Sequence, residues 1–511
     1  MSETFPPRPH DFLGLERHAA QTPAAMAVAA PGRKPLTYAA LWDQLHAIRG
    51  ALNRAGFRQG EVAALAMPNG PELIAAVLGI SSVGAAAPLN PALTEEEFRS
   101  YFGRLGARVL IIPDGAASPA AQAAQALGIG VLRIRSTPQD PAGVFSLDLA
   151  QDSRPGRSVR TTDAALLLFT SATTATPKLV PLAGPELRAM AVRQKDTLRL
   201  SAADRFLSLM PLFHLYGLGP VLTQLFTGGA VIAAPGFDAG CFLAWLEEFQ
   251  PTWFTSSPPL NRSILDLARQ NPQVFGRIRL RMIRCAFTPQ NEALALLGKA
   301  VGAPVLTSYG LTETGLVTLA TPEACKPGSV GRTAGLELAI ADPIGNLLGP
   351  EREGEVVVRG AVTSGYMDDP EATEAAFRHG WFHTGDIGRL DSDGFLFLTG
   401  RLKETIDRGG EKISPQEVDE ALAGHPAVAE AAAFAVAHPT LGEDVAAAVV
   451  LRSGAATSEL ELRRFAATRL AAFKVPRRIV FVDALPRSPT GKPQRAALAE
   501  RFRMERRRVS R

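Results

Sequence analysis

The sequence predicts an α/β protein whose texture changes twice along the chain. Short apolar runs alternate with helical patterns as far as about Lys326, strand-like runs separated by Gly, Asp and Asn follow, and a mixed pattern begins near Arg401.

The first texture predicts parallel sheets. Val62–Ala66 reads as a strand, Pro71–Val83 as a helix and Ala85–Pro88 as another short strand, which is βαβ order. Thr94 with Glu97 three residues on forms a capping box, and Phe98, Tyr101, Phe102 and Leu105 then fall at i, i+3, i+4 and i+7, on one helix face. Val109–Ile112 is an apolar strand stopped by Pro113, and the alternation resumes at Ala164–Phe169, Ala230–Ala234, Met282–Cys285 and Pro304–Thr307. In the second texture, Gly354–Gly360 and Gly394–Gly400 read as strands of antiparallel hairpins. In the third, Ser414 supplies an N-cap, Pro415 the first helical position and Glu417 the third, and Gly424 ends that helix. Apolar runs at Val428–Val436 and Val445–Leu451 and a helical pattern around Ser458–Leu470 complete a small α+β domain of about 100 residues.

With 511 residues, 46% of them apolar and 20% charged, the chain buries a sizeable core, spans more than one domain and is not a disordered one. Its net charge is +4, but the last eleven residues hold six arginines against one glutamate, so the body carries no basic surplus and nucleic acid is not an expected partner. Cys241, Cys285 and Cys325 are far apart and show no C-x-x-C spacing, which predicts neither a disulfide framework nor a zinc site and fits a reducing, cytoplasmic compartment. Met1–His10 has no apolar stretch of the signal-peptide kind. Phe206–Phe237 contains no charged residue, but its prolines and glycines cut it into strand, loop, helix and strand lengths, so it reads as buried core and no membrane span is expected.

Chemistry is concentrated in short segments. After the strand Ala164–Phe169 comes Thr170-Ser-Ala-Thr-Thr-Ala-Thr-Pro-Lys178, whose hydroxyls, backbone N–H groups and lysine suit a polyphosphate; a solvated Ser/Thr-rich turn is the alternative. It is not a P-loop, and Gly310 to Gly315 is followed by Leu316 where a P-loop needs lysine. Neither G-x-S-x-G nor H-E-x-x-H occurs, and Gly380 and Trp381 between His379 and His383 predict a turn and strand, not a metal site.

The chain also contains Ser308-Tyr-Gly-Leu-Thr-Glu-Thr-Gly315, Lys326-Pro-Gly-Ser-Val-Gly-Arg332, Gly380-Trp-Phe-His-Thr-Gly-Asp386, Gly400-Arg-Leu-Lys403, Gly409-Gly410 and Pro489-Thr-Gly-Lys492, in that order. With the 170–178 loop these motifs resemble the adenylate-forming superfamily, which includes acyl- and aryl-CoA synthetases, adenylation domains and luciferase; the resemblance runs from about Leu36 to Lys492. It implies a large N-terminal domain, residues 1–400, of two doubly wound βαβ-type subdomains plus a small distorted β-barrel. A small mobile α+β domain, 401–500, and a basic tail, 501–511, follow.

The activity it implies is ATP-dependent ligation: a carboxylic acid forms an acyl-adenylate with release of pyrophosphate, and the acyl group then passes to coenzyme A. A carrier-protein phosphopantetheine is the alternative acceptor. ATP, Mg2+ and coenzyme A are the implied cofactors. By the same resemblance Thr170, Ser171, Thr173, Thr174 and Lys178 hold the β- and γ-phosphates, Tyr309 flanks the adenine, and Thr312 lies at the α-phosphate. Glu313 is the implied magnesium ligand, since a carboxylate beside a triphosphate needs a divalent cation between them. Asp386 and Arg401 bind the ribose hydroxyls, Lys403 is the hinge, and Gly409 and Gly410 let a pantetheine arm pass. Lys492 bridges the attacking carboxylate and the α-phosphate, and His214 is the gate of the acyl pocket.

Ala172 and Ala175 depart from the family's loop, which usually has glycine at both places. The added Cβ atoms raise a second possibility, a catalytically weakened adenylate-fold protein that binds without turnover. Phe213-His214-Leu215 lacks the aspartate of amino-acid activators, so a simple acid is expected. Gly84–Pro91 and Lys326–Gly331 resemble the oxalyl-CoA-synthetase-like branch, but Thr314-Gly315-Leu316 offers no cation for a second carboxylate, so oxalate is a minor option.

Overall fold

Val62–Ala66 is buried from end to end because it is an interior strand covered on both faces. Ala63 and Leu65 pack with the helix Pro71–Ser81, while Val62 and Ala64 pack with Phe98, Phe102 and Leu105 of the helix Glu95–Leu105. The computed structural model describes residues 11–115, 118–149, 161–170, 177–286, 291–409, 411–487 and 493–509. The first sheet has seven strands in the order Ser146–Leu149, Gly130–Arg135, Val109–Pro113, Val62–Ala66, Ala85–Leu89, Ala164–Phe169, Leu179–Ala183. Only the outer pairings, at Ser146–Leu149 and Leu179–Ala183, are antiparallel.

The second sheet has nine strands. Its parallel centre runs Met26–Ala29, Ala230–Ala233, Arg205–Ser208, Trp253–Ser256, Met282–Ala286, Val305–Leu311, and Gly315–Leu319 returns antiparallel beside the last of these. Helices Gly184–Leu198 and Leu215–Phe226 fill the core shared with the first sheet, and helices Phe242–Phe249 and Pro258–Gln270 cover the other face. Ligands of such sheets gather at the carboxyl ends of the parallel strands.

A six-stranded antiparallel sheet built on Gly354–Arg359 and Trp381–Leu390 stands where the barrel is expected, and Tyr309 belongs to its core. The last sheet has five strands around Val428–His438 and Gly442–Leu451. Helices Pro415–Ala423 and Glu459–Ala467 pack on one face of it, and Leu498 and Phe502 of the helix Arg495–Val509 pack on the other. Residues 501–509 therefore continue the last helix of this unit and do not form a separate tail.

Local signals hold where they depend on near neighbours. The Thr94–Glu97 capping box forms in both directions. The Ser414 hydroxyl instead donates to the Thr399 carbonyl, which ties this helix start to the strand Leu396–Arg401 at the expense of the cap. The uncharged stretch is the strand Arg205–Ser208, the helix Leu215–Phe226 with Pro220 inside it, and the strand Ala230–Ala233. Among the described residues no helix is long and apolar enough to cross a membrane. All three cysteines are free thiols, and Cys285 is buried, its Sγ accepting from Asn261 Nδ2 at 3.0 Å.

Gly331 joins the second sheet to the antiparallel one. It has φ +89°, its carbonyl accepts from Leu396 N, and a Cβ built there would lie 2.1 Å from the Leu319 carbonyl carbon. Gly331→Ala is expected to cost more than about 2 kcal/mol, measured by denaturant unfolding. Gly349→Ala, where a Cβ meets nothing within 4 Å, is expected to be neutral in the same measurement.

Candidate active site

Antiparallel pairing sets Asp386 opposite Arg401, so the two side chains share a face. Arg401 Nε donates to Asp386 Oδ1 at 2.6 Å, and Tyr309 Oη, arriving from Val305–Leu311, donates to Oδ2 at 2.6 Å. The carboxylate is 4% exposed. Burial and the charge of Asp386 push the Tyr309 phenol well above its ordinary range, so it stays a donor. Each Asp386 oxygen keeps a second lone pair, and these are the acceptors a pair of ribose hydroxyls needs. Behind the pair, Glu355 accepts from Gly385 N at 3.0 Å and faces His383 Nδ1 at 2.7 Å. His383 thus buttresses the Asp386 turn, while His379 sits in a left-handed turn at φ +53°. Among the described residues no group of His, Cys, Asp and Glu is arranged to hold a metal by itself.

The second cluster is Thr312, Glu313, Lys178 and Thr170. Thr312 and Glu313 lie in the link from Val305–Leu311 to Gly315–Leu319. Glu313 is buried, and its Oε1 accepts from Tyr366 Oη at 2.8 Å. Lys178 Nζ stands 4.0 Å from the Tyr366 ring centroid. Thr170 and Lys178 close the 170–178 loop at its base: Thr170 N donates to Lys178 O at 2.9 Å, and Lys178 N donates to Thr170 Oγ1 at 3.0 Å. Burial raises the pKa of Glu313, opposed by the Tyr366 hydrogen bond and the charge of Lys178. Burial lowers that of Lys178, and the charge of Lys403 adds to it, so Lys403 stands close enough to act on Lys178. The donor set fits magnesium, which binds proteins through one or two carboxylates and takes its remaining ligands from phosphate and water.

The other expected site residues are more spread out. His214 is the N-cap residue of the helix Leu215–Phe226, half-buried, its ring 4.6 Å from that of Phe213. Lys403 is exposed in the link after Leu396–Arg401. Gly409 has φ +63° in the turn of the hairpin Ile406–Arg408 and Glu411–Ile413, where its N–H donates to Leu441 O. Ser171, Thr173, Thr174, Gly410 and Lys492, with Ala172 and Ala175, lie outside the described residues.

Sequence reasoning missed three residues. Tyr366 meets Glu313 across 53 positions, with only a lone tyrosine in a loop to signal it. Arg495, three positions after Lys492, grips Asp419 through both Nη groups at 2.6 and 3.2 Å and donates from Nε to Glu404, the residue after Lys403, at 3.1 Å. Arg284 is a buried cation inside an otherwise apolar strand, and that break in the pattern was its signal.

The model for AMP-binding enzymes matches residues 15–367, and that for the AMP-binding enzyme C-terminal domain matches 417–492. The chain is 38% identical over 504 residues to an oxalate–CoA ligase of Arabidopsis thaliana, covering 96% of this chain and 98% of that protein. It is 36% identical over 481 residues to an oxalate–CoA ligase of Saccharomyces cerevisiae, with 88% of each covered. o-Succinylbenzoate CoA synthetase (MenE) of Bacillus subtilis, solved with its acyl-adenylate intermediate, superimposes with a TM-score of 0.81 at 27% identity, covering 95% of this chain and 97% of that one. The same enzyme solved with ATP and magnesium gives 0.82, covering 95% and 98%.

The Glu313–Tyr366 contact sets a pH dependence. Removing the phenol takes a hydrogen bond from the ionised carboxylate, so Tyr366→Phe raises the pKa of Glu313 further. Magnesium-dependent ATP binding, followed by calorimetry against pH, is expected to fail at a higher pH in Tyr366→Phe than in the parent; an unmoved acid limb would separate Glu313 from metal binding.

Proposed function

Since this chain belongs to the AMP-binding enzyme family, and is an ATP-dependent ligase that converts a carboxylic acid to its acyl-adenylate and then its coenzyme A thioester, we propose the following division of labour. Asp386, held by Tyr309 and Arg401, accepts the ribose hydroxyls, and Tyr309 flanks the base. Thr170 and Lys178, with Ser171, Thr173 and Thr174, take the outer phosphates, and Thr312 contacts the α-phosphate. Glu313 holds magnesium, which when bound shields the negative charge of the phosphates.

The acid enters beside His214, and its carboxylate attacks the α-phosphorus with pyrophosphate as the leaving group. Lys492 bridges the two approaching anions and stabilises charge that grows in the transition state. Arg495, three residues on, supports it: its grip on Glu404 and Asp419 fixes the chain that follows Lys492 to the residue after Lys403. Rotation about Lys403 then exchanges Lys492 for Gly409 and Gly410, whose missing side chains let the pantetheine arm reach the adenylate. The domain boundary falls at the end of Leu396–Arg401, at the Asp386–Arg401 pair that closes its ladder. The acceptor is free coenzyme A, in keeping with the CoA ligases it resembles, and not a carrier protein. The three free thiols agree with a cytoplasmic enzyme. The observation that carries the reading is the buried Tyr309–Asp386–Arg401 clasp, an acceptor prepared for a diol within one fold with the phosphate cluster.

Hydroxamate formation with ATP, magnesium and hydroxylamine tests the assignment, because hydroxylamine traps the adenylate whatever the thiol. Lys492→Ala is expected to slow it at least about 100-fold; adenylate formation at the parental rate would remove Lys492 from the mechanism.

A further inference from the structure

One charge in the molecule has no role in the nucleotide site. Arg284 is 5% exposed in the strand Met282–Ala286, between Trp253–Ser256 and Val305–Leu311, so it cannot reach an edge of the sheet. Register pairs it with Thr255 on one side and Leu306 on the other, and residues in register share a face. Trp253, Met282 and Leu306 of the same three strands pack with Met190 and Leu218, so this face looks toward the helices Gly184–Leu198 and Leu215–Phe226.

The guanidinium is held but not neutralised. Nε donates to Ser308 Oγ at 3.0 Å, and the guanidinium carbon stands 5.0 Å from the Tyr216 ring centroid. Tyr216 is itself fixed by donating to the main-chain oxygens of Ser256 and Arg284. Among the described residues neither Nη group has a hydrogen-bond partner and no carboxylate faces the group, and burial lowers its pKa. Beside it, the fully buried Thr255 hydroxyl is also without a partner among the described residues. An arginine cannot readily shed its proton, and a buried ion without a counter-charge is costly, so a cation kept here is one that an arriving anion would satisfy bidentately.

Its position names the ligand. Ser308 immediately precedes Tyr309 of the nucleotide clasp, and Tyr216 is two residues from His214 at the acyl gate, so Arg284 lies between the two. The reacting carboxylate is engaged at the α-phosphate, leaving the far end of the acid for Arg284. We propose that Arg284, with the Thr255 hydroxyl, forms a subsite for a second anionic group, and that the substrate is a short carboxylic acid carrying a further carboxylate or sulfonate. This rests on the ligase reading above, and it replaces residues 314–316 with Arg284 as the source of the cation for a second carboxylate.

The test is the rate of acid-dependent pyrophosphate release with oxalate, malonate and sulfoacetate against acetate and propionate, for the parent, Arg284→Met, Arg284→Lys and Thr255→Val. ATP affinity by calorimetry checks that each variant is folded. In the parent, kcat/KM for at least one doubly charged acid is expected to exceed that for the monoacids. Arg284→Met should lower that preference at least about 100-fold, mainly through KM, with Arg284→Lys recovering part of it and Thr255→Val losing less. The dicarboxylates and sulfoacetate together tell which anion the subsite prefers. A parent that prefers monoacids, or an Arg284→Met loss equal for both classes, overturns the subsite and leaves the ligase reading standing. Absence of AMP formation with every acid, including longer and aromatic ones, overturns the ligase reading and the subsite with it.

Discussion

The structure turns on a buried carboxylate held between two donors. Asp386 draws together three strands: its own, the hairpin partner that carries Arg401, and the parallel strand that brings Tyr309 from the nine-stranded sheet. A carboxylate at that depth is tolerated only with charge-assisted partners, and here each oxygen has one while keeping a lone pair for a ligand. The clasp therefore does structural work before any nucleotide arrives. It also fixes the chain two residues before Lys403, so that a swing of the small domain would start from an immobile point.

Contacts across and within the small domain differ in kind. Inside it, Arg495 is a largely buried fork on Asp419, shared with Glu404. Across the boundary, Glu430 meets Arg262 of the helix Pro258–Gln270 at 3.2 Å, and that arginine is half-exposed. An exposed pair of this sort contributes about 0–1 kcal/mol, whereas loss of a partner from a buried one costs several times that. The Arg262–Glu430 salt bridge is thus worth less than the one inside the small domain, a difference that suits motion of that domain as a unit.

Legibility in the sequence followed distance along the chain. The capping box at Thr94, the buried strands and the antiparallel hairpins depend on neighbours a few residues away, and they stand where the pattern puts them, with ends shifted by a residue or two. Asp386 and Arg401 were legible because they sit in recurring motifs and in one hairpin. Ser414 does stand at the N-cap position, but its hydroxyl is claimed by the Thr399 carbonyl in place of the capping hydrogen bond, a contact that depends on the preceding strand. Tyr366, Arg495 and Arg284 were missed for a related reason: their meaning lies in register and in which helix covers which face. A lone charged residue inside an apolar strand is nonetheless a visible signal, and Arg284 in Met282–Ala286 is one.

The central claim is that the clasped nucleotide is attacked at its α-phosphorus by a carboxylate before any thiol takes part. Exchange of labelled pyrophosphate into ATP, run with magnesium and a carboxylic acid but without coenzyme A, tests this most directly. The account predicts label in ATP only when the acid is present, with AMP as the nucleotide product once thiol is added. Label that never enters ATP while ADP and phosphate accumulate would place the attack at the γ-phosphorus and contradict it.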